Sequence, residues 1–180
     1  MNRKVQRPWR ASLASTLGLL VLALTGCGQS SPEVLARPDH AIVVEVVDGD
    51  TIELVIAGQT ERVRLLGIDA PESVHPTVPE QCFGAESSSS LAELLPPDTR
   101  VKLERDTELR DRYDRLLLYV YRLSDGLFVN SWLVSNGLAD TLFYEPNLSH
   151  AATLTTARNQ ARADLAGLWG SCEGPDQPVN

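Results

Sequence analysis

Basic residues are scarce in this 180-residue chain, which has 16 Lys+Arg against 24 Asp+Glu. Four of them, Arg3, Lys4, Arg7 and Arg10, precede any acidic residue. Without that first segment, 12 Lys+Arg face 24 Asp+Glu, and the net charge falls from −8 to −12. A protein that binds nucleic acid by releasing many counterions is basic. Two alternatives follow: nucleic acid is not the partner, or a few local cationic groups and a metal ion bind it.

The chain also lacks an apolar run long enough to span a membrane. The candidate, residues 13–24, is too short and follows the basic segment. It ends in Leu24-Thr25-Gly26-Cys27, which resembles a bacterial lipobox. We expect residues 1–26 to be a signal peptide and Cys27 to carry a lipid anchor. The protein would then be exported to the periplasm or the cell exterior and contact the membrane through the anchor only. The alternative is an ordinary secretory signal with a chance cysteine.

Cysteine is rare, with three in the chain. If Cys27 is lipidated, Cys82 and Cys172 remain as an even number in an oxidising compartment, and we predict a disulfide between them. Closing a loop of that length stabilises a protein by roughly 4–5 kcal/mol in the chain-entropy model. The alternative is two separate buried thiols.

The organisation of the chain indicates one folded domain, with no internal repeat. Residues 27–38, rich in Gly, Ser, Pro and Gln, predict a flexible tether after the anchor cysteine. We place the domain at residues 39–173 and a disordered tail at residues 174–180. A monomer satisfies everything in the sequence.

Short β-branched and alternating segments predict an α+β fold. The predicted strands are residues 41–47, 51–56, 61–68, 100–105 and 116–122. The predicted helices are residues 83–95, 130–136 (with Asn130 as N-cap) and 149–165. One helix inserted after the third strand and helices at the end indicate a five-stranded OB-fold Greek-key β-barrel with about three helices.

Histidine is as rare as cysteine, and the charged residues that cluster are carboxylates. Asp48, Asp50 and Asp69 lie at ends of predicted strands, and Glu72 follows closely. Oxygen ligands without a His or Cys partner favour Ca²⁺ or Mg²⁺ over zinc or copper. Taken alone, Asp-Gly-Asp is a common turn, so the cluster by itself favours no metal site.

Three motifs in a fixed order are more specific than any one of them. They are Val47-Asp48-Gly49-Asp50-Thr51-Ile52, Arg64-Leu65-Leu66-Gly67-Ile68-Asp69-Ala70-Pro71-Glu72 and Asp111-Arg112-Tyr113-Asp114-Arg115. Together they resemble the staphylococcal nuclease (thermonuclease) family, and the likeness runs from about residue 41 to 169. It extends to Tyr144-Glu145-Pro146-Asn147 and to the closing Leu168-Trp169.

The resemblance implies a calcium site. Asp50 and Asp69 match calcium carboxylates, and the backbone carbonyl of Ala70 would be a third ligand. Asp48 would sit beside the ion through water. In place of the threonine that often follows the second calcium aspartate in the family, this chain has Ala70, a change that a main-chain ligand tolerates.

The resemblance also implies the catalytic and substrate contacts. Glu72 matches the residue that activates or orients the attacking water, and Arg64 and Arg115 match the arginines that hold the scissile phosphate. The other matching positions are Arg112 and Tyr113, beside a neighbouring phosphate, and Tyr144, near the base.

One departure concerns Asp114, where the family usually has glycine. If the turn needs a positive φ, Asp tolerates it better than most residues, but its charge lies beside Arg115.

The expectation is therefore a calcium-dependent, sugar-nonspecific nuclease that cleaves single-stranded DNA, RNA and possibly duplex DNA and leaves 3′-phosphate ends. The alternative is a catalytically inactive OB-fold module that binds nucleic acid or a protein partner.

Overall fold

The computed structural model describes residues 39–73, 79–172, 174–175 and 177–178, all within the contact unit formed by residues 36–180. The predicted signal peptide, Cys27 and the tether up to residue 38 lie outside the described residues. Within the described ranges, no helix is long and apolar enough to cross a membrane.

Five strands close into a barrel of mixed direction. The strands of the chain are β1 (His40–Val46), β2 (Thr51–Ile56), β3 (Gln59–Leu65), β4 (Ile68–Asp69), β5 (Arg100–Arg110), β6 (Leu116–Arg122), β7 (Leu127–Phe128) and β8 (Asp140–Thr141). The barrel order is β3-β2-β1-β5-β6, with antiparallel neighbours. β3 and β6 pair in parallel and close the barrel. This confirms the predicted five-stranded OB-fold.

The closing pair brings two distant parts of the sequence together. Arg64 pairs with Leu117 and Val63 with Leu116, so the chain just after Arg115 runs beside the end of β3. The two arginines predicted to hold a phosphate therefore come close together, Arg64 from the end of β3 and Arg115 from the turn directly before β6.

Helices pack against the barrel and share its apolar core. They are α1 (Gly84–Leu94), α2 (Val129–Ser135), α3 (Ala151–Ala163) and the short α4 (Leu168–Ser171). The first three confirm the predicted helices, with ends that differ by a few residues. Leu91, Leu133 and Leu154, one from each of them, are fully buried in the same apolar core as Ile52 and Leu118.

The third strand is shorter than predicted, because the chain turns at Gly67. Gly67 has φ 76°, and a Cβ there would lie 2.5 Å from Leu154 Cδ1, so both the backbone and the packing require glycine. After this turn, Ile68 and Asp69 form β4 and pair with Thr141 and Asp140 of β8. The predicted extension of the strand to Ile68 was wrong for this reason. The strand predicted for residues 100–105, in contrast, is longer than predicted, because β5 continues to Arg110.

Asn130 is not the N-cap of α2 as predicted. The helix begins at Val129, Phe128 holds the cap position, and no side chain caps it. Asn130 is fully buried. Its Oδ1 accepts from Val120 N at 3.0 Å, and its Nδ2 donates to Leu66 O at 2.9 Å. The residue thus joins α2, β6 and the turn after β3 instead of starting a helix.

The predicted disulfide between Cys82 and Cys172 is present, with an S–S distance of 2.04 Å. It joins the start of the α1 region to the end of α4 across 90 residues. Gln177 O accepts from Cys82 N at 2.7 Å, and Pro178 pairs with Gln81. Two residues of the segment predicted as a disordered tail therefore contact the domain; residues 176, 179 and 180 of that segment lie outside the described residues.

Candidate active site

Every non-cysteine residue predicted for the site lines one cleft of about 760 Å³. These residues are Asp48, Asp50, Arg64, Asp69, Ala70, Glu72, Arg112, Tyr113, Arg115 and Tyr144. The cleft is bordered by the start of β2, the end of β3, β4 and the end of β5. The separated motifs of the sequence therefore meet at one place.

Asp50 is the most enclosed charged residue of the cleft, with 7% of its surface exposed. Its Oδ1 accepts from Thr51 Oγ1, and its Oδ2 accepts from the Ala70 backbone N, each at 3.0 Å. The Asp50 backbone N in turn donates to Asp48 Oδ1 at 3.0 Å. These bonds fix the Asp48-Gly49-Asp50 turn against the segment that follows Asp69.

Gly49 permits this close approach. A Cβ on Gly49 would lie 2.6 Å from Ala70 Cβ and 3.0 Å from Ser87 Cβ, the latter on α1. A larger residue at position 49 would separate the two carboxylate-bearing segments, so glycine here is a requirement of the site.

Arg64 lies between the two predicted calcium carboxylates. Its Nη2 is 2.9 Å from Asp50 Oδ2 and 2.8 Å from Asp69 Oδ1. Its Nη1 donates to the carbonyls of Leu65 and Ile68, both at 2.8 Å. The turn at Gly67 supplies the second carbonyl, so the local fold holds the guanidinium in one position.

Burial raises the pKa of Asp50 to about 7. The Arg64 guanidinium and the Ala70 N–H act in the opposite direction, while Asp48 and Asp69 raise the pKa further. Asp50 and Asp69 thus share one guanidinium, and Asp48 adds a further negative charge beside them.

The donor set suits a hard cation. Among the described residues, no group of three or more His, Cys, Asp or Glu is arranged as a metal site. The carboxylates of Asp50 and Asp69 nevertheless converge on one point, where the Arg64 nitrogen lies, and offer only oxygen. Oxygen ligands and excess negative charge fit Ca²⁺ or Mg²⁺.

Glu72 lies on the same cleft, half-buried, in the loop before α1. Its Oε1 accepts from Ser73 N at 2.9 Å. Its own backbone N donates to Gln81 Oε1 at 2.7 Å, and its carbonyl accepts from Gln81 N at 2.8 Å.

Arg115 is oriented by Asp111, four residues earlier in the turn between β5 and β6. Asp111 Oδ2 accepts from Arg115 Nε at 2.7 Å, and Oδ1 accepts from the backbone N of Arg115 and of Tyr113, each at 2.9 Å. Burial acts to raise the pKa of Asp111, but these hydrogen bonds outweigh it and hold the pKa below its ordinary value. The carboxylate therefore stays ionised and keeps the Arg115 side chain in place.

Two arginines contact the Tyr113 ring. The Cζ atom of Arg112 is 4.8 Å from the ring centroid and that of Arg115 is 5.5 Å from it. Asp114, next in the turn, has φ 66°, the left-handed conformation anticipated for it. Tyr113 and Tyr144 are 65% and 67% exposed, so both present flat apolar rings at the cleft.

Three residues that order the cleft were not predicted as part of the site. Arg110 Nη2 contacts both oxygens of Glu61 at 2.8 Å, and Asn147, 2% exposed, accepts from Glu108 N at 2.8 Å. Asp111 is the third. Asp111 had a local signal in the sequence, the four-residue spacing to Arg115, and Arg110 has the same spacing to Asp114. Glu61 and Glu108, the partners of Arg110 and Asn147 described above, are far away from them along the chain.

Comparisons with known proteins identify the family. The sequence profile described as "Staphylococcal nuclease homologue" matches residues 62–171. The thermonuclease of Staphylococcus intermedius is 38% identical over 167 residues, which cover 86% of this chain and 96% of that protein. The thermonuclease of Staphylococcus hyicus is 36% identical over 158 residues, covering 85% and 92%. The endonuclease YncB of Bacillus subtilis is 35% identical over 125 residues, covering 68% and 58%. The chain therefore belongs to the staphylococcal nuclease homologue family.

Proposed function

We propose that this protein is a calcium-dependent, sugar-nonspecific endonuclease that hydrolyses phosphodiester bonds in DNA and RNA and leaves 3′-phosphate ends. The observation that carries the proposal is the single cleft shared by the buried Asp50, the half-buried Asp69, two arginines and Glu72. The related thermonucleases and endonuclease support the reaction class.

The arginines would bind the scissile phosphate. In-line attack adds negative charge to oxygens that already carry one, and guanidinium groups stabilise that charge inside a cleft. Arg115 uses Nε for Asp111, so its Nη groups are the ones a phosphate would contact. Arg112 and Tyr113 would contact a neighbouring phosphate, and Tyr144 would pack near the base.

Glu72 would act on the attacking water, as a base or by orienting it. An ordinary glutamate, with a pKa of about 4.3, is a weak base toward water. Accurate placement of the Glu72 carboxylate is therefore as important as its basicity.

Asp50, Asp69 and the carbonyl of Ala70 would hold calcium, with Asp48 beside it through water. Bound there, the ion would supply Lewis-acid stabilisation of the phosphate and of the water. Without a metal ion, Arg64 faces Asp50 and Asp69, and Asp48 lies close to Asp50, so negative charge that repels a polyanion is in excess at this point.

Digestion of single-stranded DNA and RNA tests the proposal, with calcium, with EGTA and with Glu72→Gln. Calcium-dependent cleavage should disappear with EGTA and fall strongly in the variant. The matched control is Glu93→Gln, an exposed glutamate on α1, which should cleave like the wild type. Equal cleavage in EGTA would contradict the calcium assignment, and 5′-phosphate products would contradict the stated polarity.

A second candidate is a catalytically inactive module that binds nucleic acid or a protein partner. One observation favours it: Arg64 occupies the point on which Asp50 and Asp69 converge. Binding of single-stranded DNA without cleavage in any calcium concentration would support this candidate against the enzyme.

We also propose that the protein is an exported monomer anchored by lipid on Cys27. The motif Leu24-Thr25-Gly26-Cys27 supports the anchor, and a disulfide between the other two cysteines fits an oxidising compartment. Labelling cells with a radioactive fatty acid tests it. The wild type should incorporate label, and Cys27→Ser should not; label in both would contradict the site.

A further inference from the structure

We propose that Gln81 is a positioning residue for Glu72, and that the Cys82–Cys172 disulfide holds Gln81 in place. The proposal rests on the proposed nuclease function, in which Glu72 acts on the attacking water. It concerns how the chain fixes the Glu72 carboxylate, which lies in a loop outside the barrel strands.

Both peptide groups of Glu72 are bonded to one residue. Glu72 N donates to the side-chain Oε1 of Gln81 at 2.7 Å. Gln81 N donates to the carbonyl of Glu72 at 2.8 Å. Two hydrogen bonds from opposite sides of the same Cα fix the direction in which the Glu72 side chain leaves the backbone.

The side of the loop that faces α1 is fixed as well. Ser73 N donates to Glu72 Oε1 at 2.9 Å, and the Ser73 and Ser88 hydroxyl oxygens lie 2.8 Å apart. Gly84 at the start of α1 has no side chain, which lets the Glu72 carbonyl approach the helix closely. Rotation of the Glu72 backbone would therefore move its carboxylate away from the Ser73 N–H.

Gln81 is itself held by contacts outside the cleft. The next residue, Cys82, is bonded to Cys172, which follows α4 directly, and Leu168 of α4 is fully buried in the domain. Cys82 N donates to Gln177 O at 2.7 Å, and Gln81 pairs with Pro178. The C-terminal end of the domain thus fixes Gln81 from the side opposite to Glu72.

The test compares Gln81→Leu, which removes the acceptor, with Gln81→Glu, which keeps a side-chain oxygen at the same length. Gln160→Leu, an exposed glutamine on α3, is the matched control. The readouts are kcat and KM for single-stranded DNA with calcium, and hydrogen exchange of the Glu72 amide by NMR. The second readout does not depend on calcium or on turnover.

We expect Gln81→Leu to lower kcat by about 10- to 100-fold, the size of effect caused by a misplaced catalytic group, with KM unchanged. Exchange of the Glu72 amide should accelerate in the same variant. Gln81→Glu should restore most of kcat and of the protection, and Gln160→Leu should match the wild type. If Gln81→Leu does not fold, Gln81→Asn, whose amide is one carbon short of Glu72 N, takes its place.

The role of the disulfide is tested by Cys82→Ala with Cys172→Ala. This double variant should lower kcat. When Gln81→Leu is added to it, the total fold-loss in kcat should be smaller than the product of the two separate fold-losses, because the disulfide and the Gln81 side chain act on the same contact with Glu72. Independent losses would overturn the part of the proposal that concerns the disulfide.

The outcomes separate the two proposals. Wild-type cleavage together with an unchanged kcat in Gln81→Leu would overturn the positioning role and leave the proposed function intact. Unaltered exchange of the Glu72 amide in that variant would overturn it as well. Absence of cleavage by the wild type would overturn the proposed function, and the positioning role with it.

Discussion

Arg64 and Asp50 form a mostly buried ion pair, with Nη2 2.9 Å from Oδ2 and side chains that are 14% and 10% exposed. The same nitrogen contacts Asp69. Arg64 is therefore the counterion of the two carboxylates proposed to hold calcium, in addition to its proposed contact with a phosphate. Removing it should therefore affect folding as well as the proposed catalysis.

Arg64→Gln should lower the free energy of unfolding by about 3 kcal/mol in EGTA at pH 8, because a buried carboxylate loses its partner. Urea denaturation measures the change. Arg62→Gln is the control from the same strand: Arg62 pairs with Glu53 at the surface, and its side chain is 54% exposed. That loss should stay below about 1 kcal/mol. Equal losses would mean that the Arg64 pair contributes no more than a surface pair.

Asp114→Gly should raise kcat/KM by about 2- to 5-fold, the size of a surface charge interaction, since it removes a negative charge beside Arg115. Glycine also suits the backbone, because φ at Asp114 is 66°. The control is Asp98→Gly, at an exposed aspartate with φ 69° that does not line the cleft. Only the first variant should change the rate. A rate gain in both would contradict the electrostatic explanation.

Asn130→Ala should destabilise the protein by about 2–4 kcal/mol, because Val120 N–H and Leu66 C=O both lose their partner in the interior. Thermal and urea unfolding measure the loss. Asn136→Ala removes a hydrogen bond from an exposed asparagine to Trp132 O, and its effect should be about 0.5 kcal/mol. If the two variants were equally stable, the buried amide would not be joining the strand, turn and helix.

Asp106 gives a pH-dependent contribution to stability. Burial acts to raise its pKa, but bonds from the Ser149 N–H and hydroxyl, Tyr119 OH and Thr107 N–H outweigh it, so the pKa is lowered on folding. A lowered folded pKa means that the stabilisation is complete above the unfolded value and is lost as the pH falls through the folded value.

Asp106→Asn should therefore cost about 1–2 kcal/mol at pH 7, and the difference from the wild type should shrink below about pH 4. Urea unfolding across the pH range measures this. Asp39→Asn, at an exposed aspartate, should show no such trend. A difference that stayed constant down to low pH would contradict the role of the Asp106 charge.

The barrel was largely predictable because its strands carry a local signal, alternation and β-branching, that depends only on near neighbours. The turn at Gly67 was not, since the segment after it pairs with β8 and a side chain at position 67 would meet Leu154 of α3, both far along the chain. Asn130 was misassigned for a similar reason. An asparagine before a helix favours a cap locally, but its partners here are Leu66 and Val120.

The candidate site was predictable from motif spacing and family resemblance, and all of its residues line the cleft. Neither the motif spacing nor the family resemblance could predict the ion pair between Arg110 and Glu61. These residues are 49 positions apart and become neighbours only through the β2–β3 hairpin and the closure of the barrel. Nor could they predict that Arg64 would lie between the two carboxylates.

The Cys82–Cys172 bond converts residues 82–172 into a closed covalent ring that contains β5 to β8 and α1 to α4. A single proteolytic cut inside this ring leaves one covalent molecule, with Arg115 still attached to everything else. A cut between Asp69 and Cys82 instead separates the peptide that carries Asp50, Arg64 and Asp69. Resistance to nicking is therefore unequal across the cleft. Arg115 stays covalently joined to the rest of the chain after one cut in the ring, whereas the peptide with the two aspartates would be held by non-covalent contacts alone.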